Sequence, residues 1–233
     1  DMASGSPMNR LLQGDVGSGK TIVAFLAIYQ AFLAGFQSVY MAPTEILARQ
    51  HHASLMNLMR FRGLRQELLL GSTPQKEREN MLRRLQNGAT DVLISTHAAL
   101  GEGVQFQNLG LAVTDEQHRF GVKQRAALSQ KGENPHVLVM SATPIPRTLA
   151  LLWYGDLEIS TIDELPAGRI PIDTIVITRE QEARMAEFVN TNIDRGRQAF
   201  IICPLIEENE ELALEAVENL YARISQTFFR HRR

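Results

Sequence analysis

Gly14-Asp15-Val16-Gly17-Ser18-Gly19-Lys20-Thr21 is the stretch that points most directly to the fold of this 233-residue chain. It matches G-x-x-x-x-G-K-[ST], the pattern of the phosphate-binding P-loop. Its glycines allow successive backbone N–H groups to turn around an anion, because no Cβ blocks the necessary dihedral angles. In such a loop Lys20 contacts the β- and γ-phosphates and the Thr21 hydroxyl ligates Mg²⁺. The pattern predicts a nucleotide-binding loop, against the alternative of a glycine-rich loop without a ligand.

The residues on either side of this loop predict a strand before it and a helix after it. Leu11 and Leu12 form a short apolar lead-in, and residues 22–33 form a strongly apolar stretch of helical length. We expect Gly35 to follow the end of this helix, at the position where a positive φ is common. Because the stretch is apolar nearly all round, we expect the helix to be buried against a sheet.

Further along the chain, short apolar runs alternate with stretches of helical pattern. The runs predict strands over residues 37–42, 66–70, 91–95, 109–114 and 136–140. The intervening stretches predict helices over residues 45–59, 73–86 and 123–130. We expect Ser72 to cap the second of these helices, with Gln75 completing a capping box. Apolar strands that alternate with helices indicate an α/β fold with a mostly parallel sheet covered on both faces.

Residues 163–171 contain Pro166, Gly168 and Pro171, and they predict a linker. After it we expect a strand (172–178), a helix (180–194), a strand (199–203) and an amphipathic helix. The apolar side of that last helix would carry Leu214, Val217, Leu220 and Ile224. These elements predict the start of a second α/β unit. The chain begins without an initiator Met and reaches its P-loop almost at once, so we expect it to be a piece of a longer protein.

The composition is that of a folded protein without a strong global charge. Hydrophobic residues make up 44% and charged residues 21%, which suits one or two globular domains. The net charge of −2 gives no global basic field, although a local groove can be basic on a neutral protein. Cys203 is the only cysteine, which excludes a disulfide framework. No Cys/His spacing indicates zinc, and we expect His51 and His52 to face solvent on their helix.

Two acidic residues, Asp115 and Glu116, follow the predicted strand 109–114. This is the usual place for the second half of a P-loop NTPase site. Asp115 would hold Mg²⁺ through water, and Glu116 would orient or deprotonate the attacking water. Acid pairs at strand ends are common, so the interpretation depends on the P-loop that precedes them. Together the motifs predict Lys20 and Glu116 as catalytic residues, and Thr21 and Asp115 as the metal site.

With three further motifs, the acidic pair resembles the helicases of superfamily two. The acidic pair extends to Asp115-Glu116-Gln117-His118, and the three further motifs are Ala42-Pro43-Thr44-Glu45-Ile46-Leu47-Ala48-Arg49-Gln50, Thr96-His97 and Ser141-Ala142-Thr143. The extended stretches 115–122, 143–148 and 163–166 are similar to the RecG type of bacterial ATP-dependent DNA helicase, which remodels Holliday junctions and stalled replication forks in recombination and repair. The related transcription-repair coupling translocases tend to have Glu-Glu-His where this chain has Glu-Gln-His.

The resemblance implies a motor of two RecA-like lobes that binds ATP and Mg²⁺. Residues 1–165 would form the first lobe, and 166–233 a linker and the truncated start of the second. Branched or duplex DNA would be the partner, with backbone contacts from Thr44, Arg49 and Thr96 that fix register without reading sequence. Thr44 is equally expected as a plain helix N-cap, and both roles are compatible. The residues that would couple hydrolysis to DNA grip are Gln117, His118, Ser141 and Thr143.

Some parts of the family pattern lie outside this chain. They are the amino-terminal wedge domain, the adenine-recognising glutamine segment and the arginine-finger motifs of the second lobe. We therefore expect the 233 residues alone to bind Mg·nucleotide weakly and to hydrolyse it barely. The resemblance also implies a monomeric motor in the bacterial cytoplasm, associated with the nucleoid and not with a membrane.

Three alternatives stay open from the sequence. A P-loop kinase or metabolic NTPase would explain residues 14–21 but not the later motifs. A duplex translocase of the transcription-repair coupling type would explain nearly all of them. A non-enzymatic remnant that only binds nucleotide or DNA is the third.

Overall fold

The structure, a computed structural model, describes residues 1–59, 63–101, 103–115, 131–143, 157–164, 170, 172–203 and 217–230. The chain divides into two compact units, Asp1–Arg169 and Ile170–Arg233. The predicted helix over residues 123–130 lies outside the described residues. Of the helices in the described ranges, none combines the length and apolar character needed to cross a bilayer.

The first unit is built on a sheet of parallel strands. They are β1 (Asn9–Gly14), β2 (Gln37–Met41), β3 (Gln66–Leu69), β4 (Val92–Ser95), β5 (Leu109–Thr114), β6 (His136–Ser141) and β7 (Glu158–Ile162). Their order in the sheet is β3-β4-β2-β5-β6-β1-β7, and every neighbouring pair is parallel. Because the strands are parallel, their carboxyl ends meet at one edge of the sheet. The predicted α/β fold with a mostly parallel sheet is confirmed.

Helices α1 (Lys20–Leu33), α2 (Glu45–Met59) and α3 (Gln75–Gln86) connect the strands. The α1 helix ends as predicted: Gly35 has φ 81° and its N–H donates to the Phe32 carbonyl at 3.0 Å. The Phe36 N–H donates to the Ala31 carbonyl at 2.9 Å, which completes a Schellman motif. The start of α2 is also as predicted, because the Thr44 hydroxyl accepts the Leu47 N–H at 3.3 Å.

The predicted cap of α3 is wrong. The helix begins after Pro74 without a side-chain cap. Ser72 instead donates its hydroxyl to a carboxylate oxygen of Glu45 at 2.8 Å, and its N–H donates to the other oxygen at 3.1 Å. A charged acceptor makes the stronger hydrogen bond, so Ser72 ties the loop after β3 to the first turn of α2.

The core lies on both faces of the sheet, as period-two alternation along the strands requires. On β2, Tyr40 faces a cluster that includes Phe25 and Ile28 of α1. Its neighbours Val39 and Met41 face the opposite cluster, which includes Met81 and Leu85 of α3. The first unit is therefore a three-layer α/β/α sandwich.

Two further features of the first unit differ from the sequence predictions. Leu26 and Leu33 of α1 are exposed, so the helix is not buried all round. The sheet covers only the face that carries Phe25 and Ile28. β7 has no counterpart among the predicted strands, because apolar and polar residues alternate only weakly along Glu158-Ile159-Ser160-Thr161-Ile162. In the structure this strand lies at the edge of the sheet, where it pairs with β1.

The regular elements of the second unit, over the residues that the structure describes, are all helices. A short 3₁₀ turn (Arg179–Gln181) leads into α4 (Glu182–Asp194), and α5 (Val217–Thr227) follows later. The predicted helix over 180–194 is confirmed. The predicted strands over 172–178 and 199–203 are wrong, since neither range is hydrogen-bonded as a strand. A strand needs a paired neighbour, and the described part of this unit supplies none.

Candidate nucleotide-binding site

The loop between β1 and α1 needs its glycines for two separate reasons. Gly17 and Gly19 have φ 81° and 98°, a region that residues with a Cβ avoid. Gly14 is needed for space, because a Cβ there would lie 2.5 Å from Ser18 Oγ and 3.1 Å from Ile162 Cβ. The loop is closed by the Ser18 N–H, which donates to the Asp15 carbonyl at 3.1 Å. The sequence thus builds a tight turn that leads directly into the first turn of α1.

Lys20 is held against this loop by its own backbone. Its Nζ donates to the carbonyl of Gly14 at 2.7 Å and to that of Asp15 at 2.8 Å. These are neutral acceptors, and a phosphate oxygen is a stronger partner for an ammonium group. Lys20 is therefore held beside the loop by two carbonyl acceptors that a phosphate oxygen can replace.

The loop also fits an anionic ligand in two other respects. The hydroxyl of Ser18 is buried and has no hydrogen-bond partner among the described residues. The α1 helix has no side-chain cap and no acidic residue in its first turn. Its first N–H groups and the positive end of its dipole are thus available to a phosphate.

Asp115 lies at the same edge of the sheet as the loop. β6 separates β1 from β5, and neighbouring strands are about 4.8 Å apart, so the two strand ends lie about 10 Å apart. Ser141 ends β6 between them. Its hydroxyl lies 3.2 Å from Thr143 Oγ1 and accepts the Thr143 N–H at 3.3 Å. The predicted coupling residues Ser141 and Thr143 therefore form one compact turn beside the site.

Two side chains converge on one carboxylate oxygen of Asp115. His51 Nε2 lies 3.0 Å from Oδ2, and the Tyr40 hydroxyl donates to the same atom at 3.4 Å. Burial raises the pKa of Tyr40 well above its usual range, and the charge of Asp115 raises it further, while a hydrogen bond from Thr21 lowers it. Tyr40 is thus a shared neighbour of Thr21 and Asp115, the two predicted Mg²⁺ ligands.

The prediction that His51 faces solvent is wrong. Its side chain is 12% exposed, and that of Asp115 is 14% exposed. A signal was present in the sequence: Ala48, His51 and Leu55 are spaced by three and four residues, so they share one helix face. Ala48 and Leu55 are fully buried, and that face carries His51 into the site.

The predicted DNA contacts lie at the ends of neighbouring strands and on α2. Thr44 and Thr96 follow β2 and β4, which pair through Met41 and Ser95. Thr44 is the N-cap of α2, and Arg49 is exposed on that helix. Thr96 is 2% exposed and offers little side-chain surface to a ligand. The remaining predicted site residues, Glu116, Gln117 and His118, lie outside the described residues.

Residues 2–152 of the chain match the family model of the DEAD/DEAH box helicases. ATP-dependent DNA helicase RecG of Thermotoga maritima is 49% identical to this chain over 98% of its length, and RecG of Synechocystis is 51% identical over 98%. The chain spans only 29% and 28% of those two relatives.

Solved structures give the same assignment. A RecG bound to a three-way DNA junction superposes with a TM-score of 0.77 at 43% identity, covering 97% of this chain and 29% of that one. The helicase domain of Pyrococcus furiosus Hef shares the fold, with a TM-score of 0.54 at 22% identity over 70% of this chain and 37% of that one. The first unit therefore has the RecA-like helicase fold, and the chain belongs to the DEAD/DEAH box helicase family.

Proposed function

We propose that this chain is part of the motor core of a RecG-type ATP-dependent DNA helicase. The observation that carries the proposal is the 49% identity to Thermotoga maritima RecG across 98% of the chain. The parent protein would remodel branched DNA, such as Holliday junctions and stalled forks, in recombination and repair. It would act as a monomer on the nucleoid in the bacterial cytoplasm. Family membership argues against the metabolic kinase alternative.

In this proposal the first unit binds Mg·ATP at the carboxyl edge of its sheet. Backbone N–H groups of residues 14–21 would hold the β- and γ-phosphates, and Lys20 would leave the carbonyls of Gly14 and Asp15 to reach them. Thr21 and Asp115 would hold the Mg²⁺, which supplies Lewis-acid stabilisation of the phosphate charge. Glu116 would orient and deprotonate the attacking water.

The same lobe would contact the DNA backbone. Thr44, Arg49 and Thr96 would supply phosphate contacts, which position a motor without reading sequence. The Ser141–Thr143 turn lies on β6, between the strand that precedes the P-loop and the strand that precedes Asp115. With Gln117 and His118, this turn would couple hydrolysis to the grip on DNA.

We also propose residues 1–165 as the first RecA-like lobe, and 166–233 as a linker and the beginning of a second. The chain spans less than a third of the Thermotoga maritima relative. We therefore propose that the 233 residues alone bind nucleotide but hydrolyse it poorly. An arginine finger from a second lobe is worth roughly 10³–10⁵ in turnover in related NTPases.

The test uses the full-length protein of the parent gene and a fork-shaped DNA. Lys20→Ala should lose nucleotide binding, and Glu116→Gln should keep binding but lose about 10²–10⁴ in DNA-stimulated ATP hydrolysis. Lys76→Ala, an exposed lysine on α3, is the matched control and should behave as wild type. Unchanged hydrolysis in Glu116→Gln would remove Glu116 from the catalytic role.

The DNA substrate separates the remaining alternatives. Wild-type protein should regress the fork, whereas a transcription-repair coupling translocase should displace stalled RNA polymerase and leave the fork intact. Nucleotide binding without turnover in the full-length protein would indicate the non-enzymatic remnant.

A further inference from the structure

We propose that His51 and Tyr40 are positioning residues for Asp115: they hold its Oδ2 so that its Oδ1 is presented to the Mg²⁺ of the bound nucleotide. This inference rests on the proposed nucleotide site and adds two residues, neither of which belongs to the P-loop or to the acidic motif.

The geometry at the carboxylate is one-sided. His51 Nε2 at 3.0 Å and the Tyr40 hydroxyl at 3.4 Å both contact Oδ2. In the described part of the chain, Oδ1 accepts no hydrogen bond. A carboxylate fixed through one oxygen keeps the other in a defined direction. Metal sites use outer-shell donors in this way to orient their carboxylate ligands.

The two donors are themselves fixed by aromatic packing. Phe25 of α1 packs against Tyr40 with ring centroids 5.9 Å apart, and against His51 in a T-shaped arrangement with centroids 6.5 Å apart. The rings of Tyr40 and His51 lie 4.7 Å apart. Phe25 is four residues after Thr21, so it lies one turn along the same helix face. The helix that follows the P-loop thus braces the residues that hold Asp115.

The donor roles follow from the chemistry of the acceptor. An ionised carboxylate only accepts hydrogen bonds, so the ring nitrogen that faces it must carry a proton. A phenol carries its proton at neutral pH, so the Tyr40 hydroxyl donates to the Asp115 carboxylate. Both contacts therefore restrain the orientation of the Asp115 carboxylate through Oδ2.

Loss of these two contacts should weaken the binding of Mg²⁺. It should not weaken the binding of nucleotide in the absence of Mg²⁺. The phosphates would be held by the P-loop backbone and Lys20. In the described structure His51 is hydrogen-bonded to neither of them, and Tyr40 reaches the loop only through the Thr21 side chain, a predicted Mg²⁺ ligand. Substitution of a residue that orients a metal ligand typically costs about 10–100-fold in metal affinity. A difference between the two modes of binding is thus the signature of a positioning role.

The experiment measures binding of a fluorescent ADP analogue to the 233-residue chain, once in EDTA and once in a Mg²⁺ titration. His51→Leu should raise the apparent Kd for Mg²⁺ about tenfold. His51→Gln keeps an N–H donor near the position of Nε2, so it should recover to within about threefold of wild type. Tyr40→Phe removes one hydroxyl and should give an intermediate loss. Binding in EDTA should be the same for all four proteins.

His52→Leu is the matched control, because it makes the same substitution on the same helix and His52 does not contact Asp115. It should leave the Mg²⁺ titration unchanged. Unchanged Mg²⁺ binding in His51→Leu would overturn the inference. Tighter binding would overturn it too, since the histidine would then be a contact that the metal has to displace. If His51→Leu fails to fold, Tyr40→Phe decides alone, and an unchanged Mg²⁺ affinity there overturns it.

The control arm also separates this inference from the function beneath it. A wild-type chain that binds nucleotide without any response to Mg²⁺, or binds none, would remove the proposed site itself. A wild-type chain that responds to Mg²⁺ beside variants that match it would remove only the roles of His51 and Tyr40.

Discussion

The two units of the chain contain similar apolar runs but bury them very differently. Ile94 in the middle of β4 is 0% exposed, whereas Val176 in the run 172–178 is 93% exposed. Both runs are rich in β-branched residues, so local propensity does not distinguish them. β4 has paired neighbours on both sides, β3 and β2, and helices over both faces of the sheet. The difference teaches that a buried parallel strand is a property of the assembled sheet rather than of its own sequence.

The comparison predicts its largest effect for a pair of matched core substitutions. Ile94→Ala should lower the free energy of unfolding by about 2–5 kcal/mol, because it leaves a cavity between packed layers. Ile175→Ala, at an exposed position of the run 172–178, should change it by less than about 0.5 kcal/mol. Urea unfolding followed by circular dichroism measures both. Equal losses would show that the second unit buries this run in solution.

Two glycines, Gly14 in the first unit and Gly196 in the second, test the same difference between the units. Gly14→Ala should cost about 1–3 kcal/mol of stability, since its Cβ would press against Ser18 and Ile162. It should also weaken nucleotide binding. Gly196→Ala in the second unit has open space around its Cβ but keeps φ 80°, so it should cost only about 1 kcal/mol.

The readout that separates the two glycines is nucleotide affinity. Gly196→Ala should bind the fluorescent ADP analogue as wild type does. If it binds more weakly, the second unit contributes to nucleotide binding. That result would contradict a nucleotide site formed by the first unit alone.

The smallest effect is expected for an ion pair within the second unit. Arg223 donates to both carboxylate oxygens of Glu182, at 2.7 and 2.9 Å, and these hydrogen bonds are the main reason that the pKa of Glu182 is lowered. Because the folded-state pKa lies below the unfolded value of 4.5, this stabilisation is present at neutral pH and is lost as the pH falls through the folded-state pKa.

Glu182→Gln should therefore cost about 0.2–1 kcal/mol at pH 7, as expected for a partly exposed pair, and nothing at strongly acidic pH. Thermal unfolding at several pH values tests this. A constant difference between Glu182→Gln and wild type at all pH values would exclude the ion pair as its cause.

The elements that the sequence predicted best are those whose ends are fixed locally. α2 begins at a Thr44 cap after Pro43, and α1 ends in the Schellman motif around Gly35. β5 is a continuous apolar run that needs no further information to be recognised. By contrast, β7 exists because it pairs with β1, and the run 172–178 is not a strand for want of such a partner. Pairing of this kind cannot be seen in one stretch of sequence.

The candidate site also has one part that could be predicted from local sequence and one part that could not. The loop of residues 14–21 carries its own conformation in its glycines, so a motif was enough to predict it. The contacts of Asp115 are long-range: His51 is 64 residues away in sequence, and Tyr40 is 75 residues away. The helical spacing of His51 with Ala48 and Leu55 could have predicted that it faces the core. Its partner could not be predicted, because that requires the order of the strands.

The central claim is that Thr21 and Asp115 belong to one Mg·nucleotide site at the carboxyl edge of the first unit's sheet. A crystal structure of the chain with Mg²⁺ and a non-hydrolysable ATP analogue tests it most directly. We expect phosphates within the loop of residues 14–21, and Mg²⁺ beside the Thr21 hydroxyl and Asp115 Oδ1. A nucleotide bound elsewhere, or an Asp115 carboxylate directed away from the metal, would contradict it.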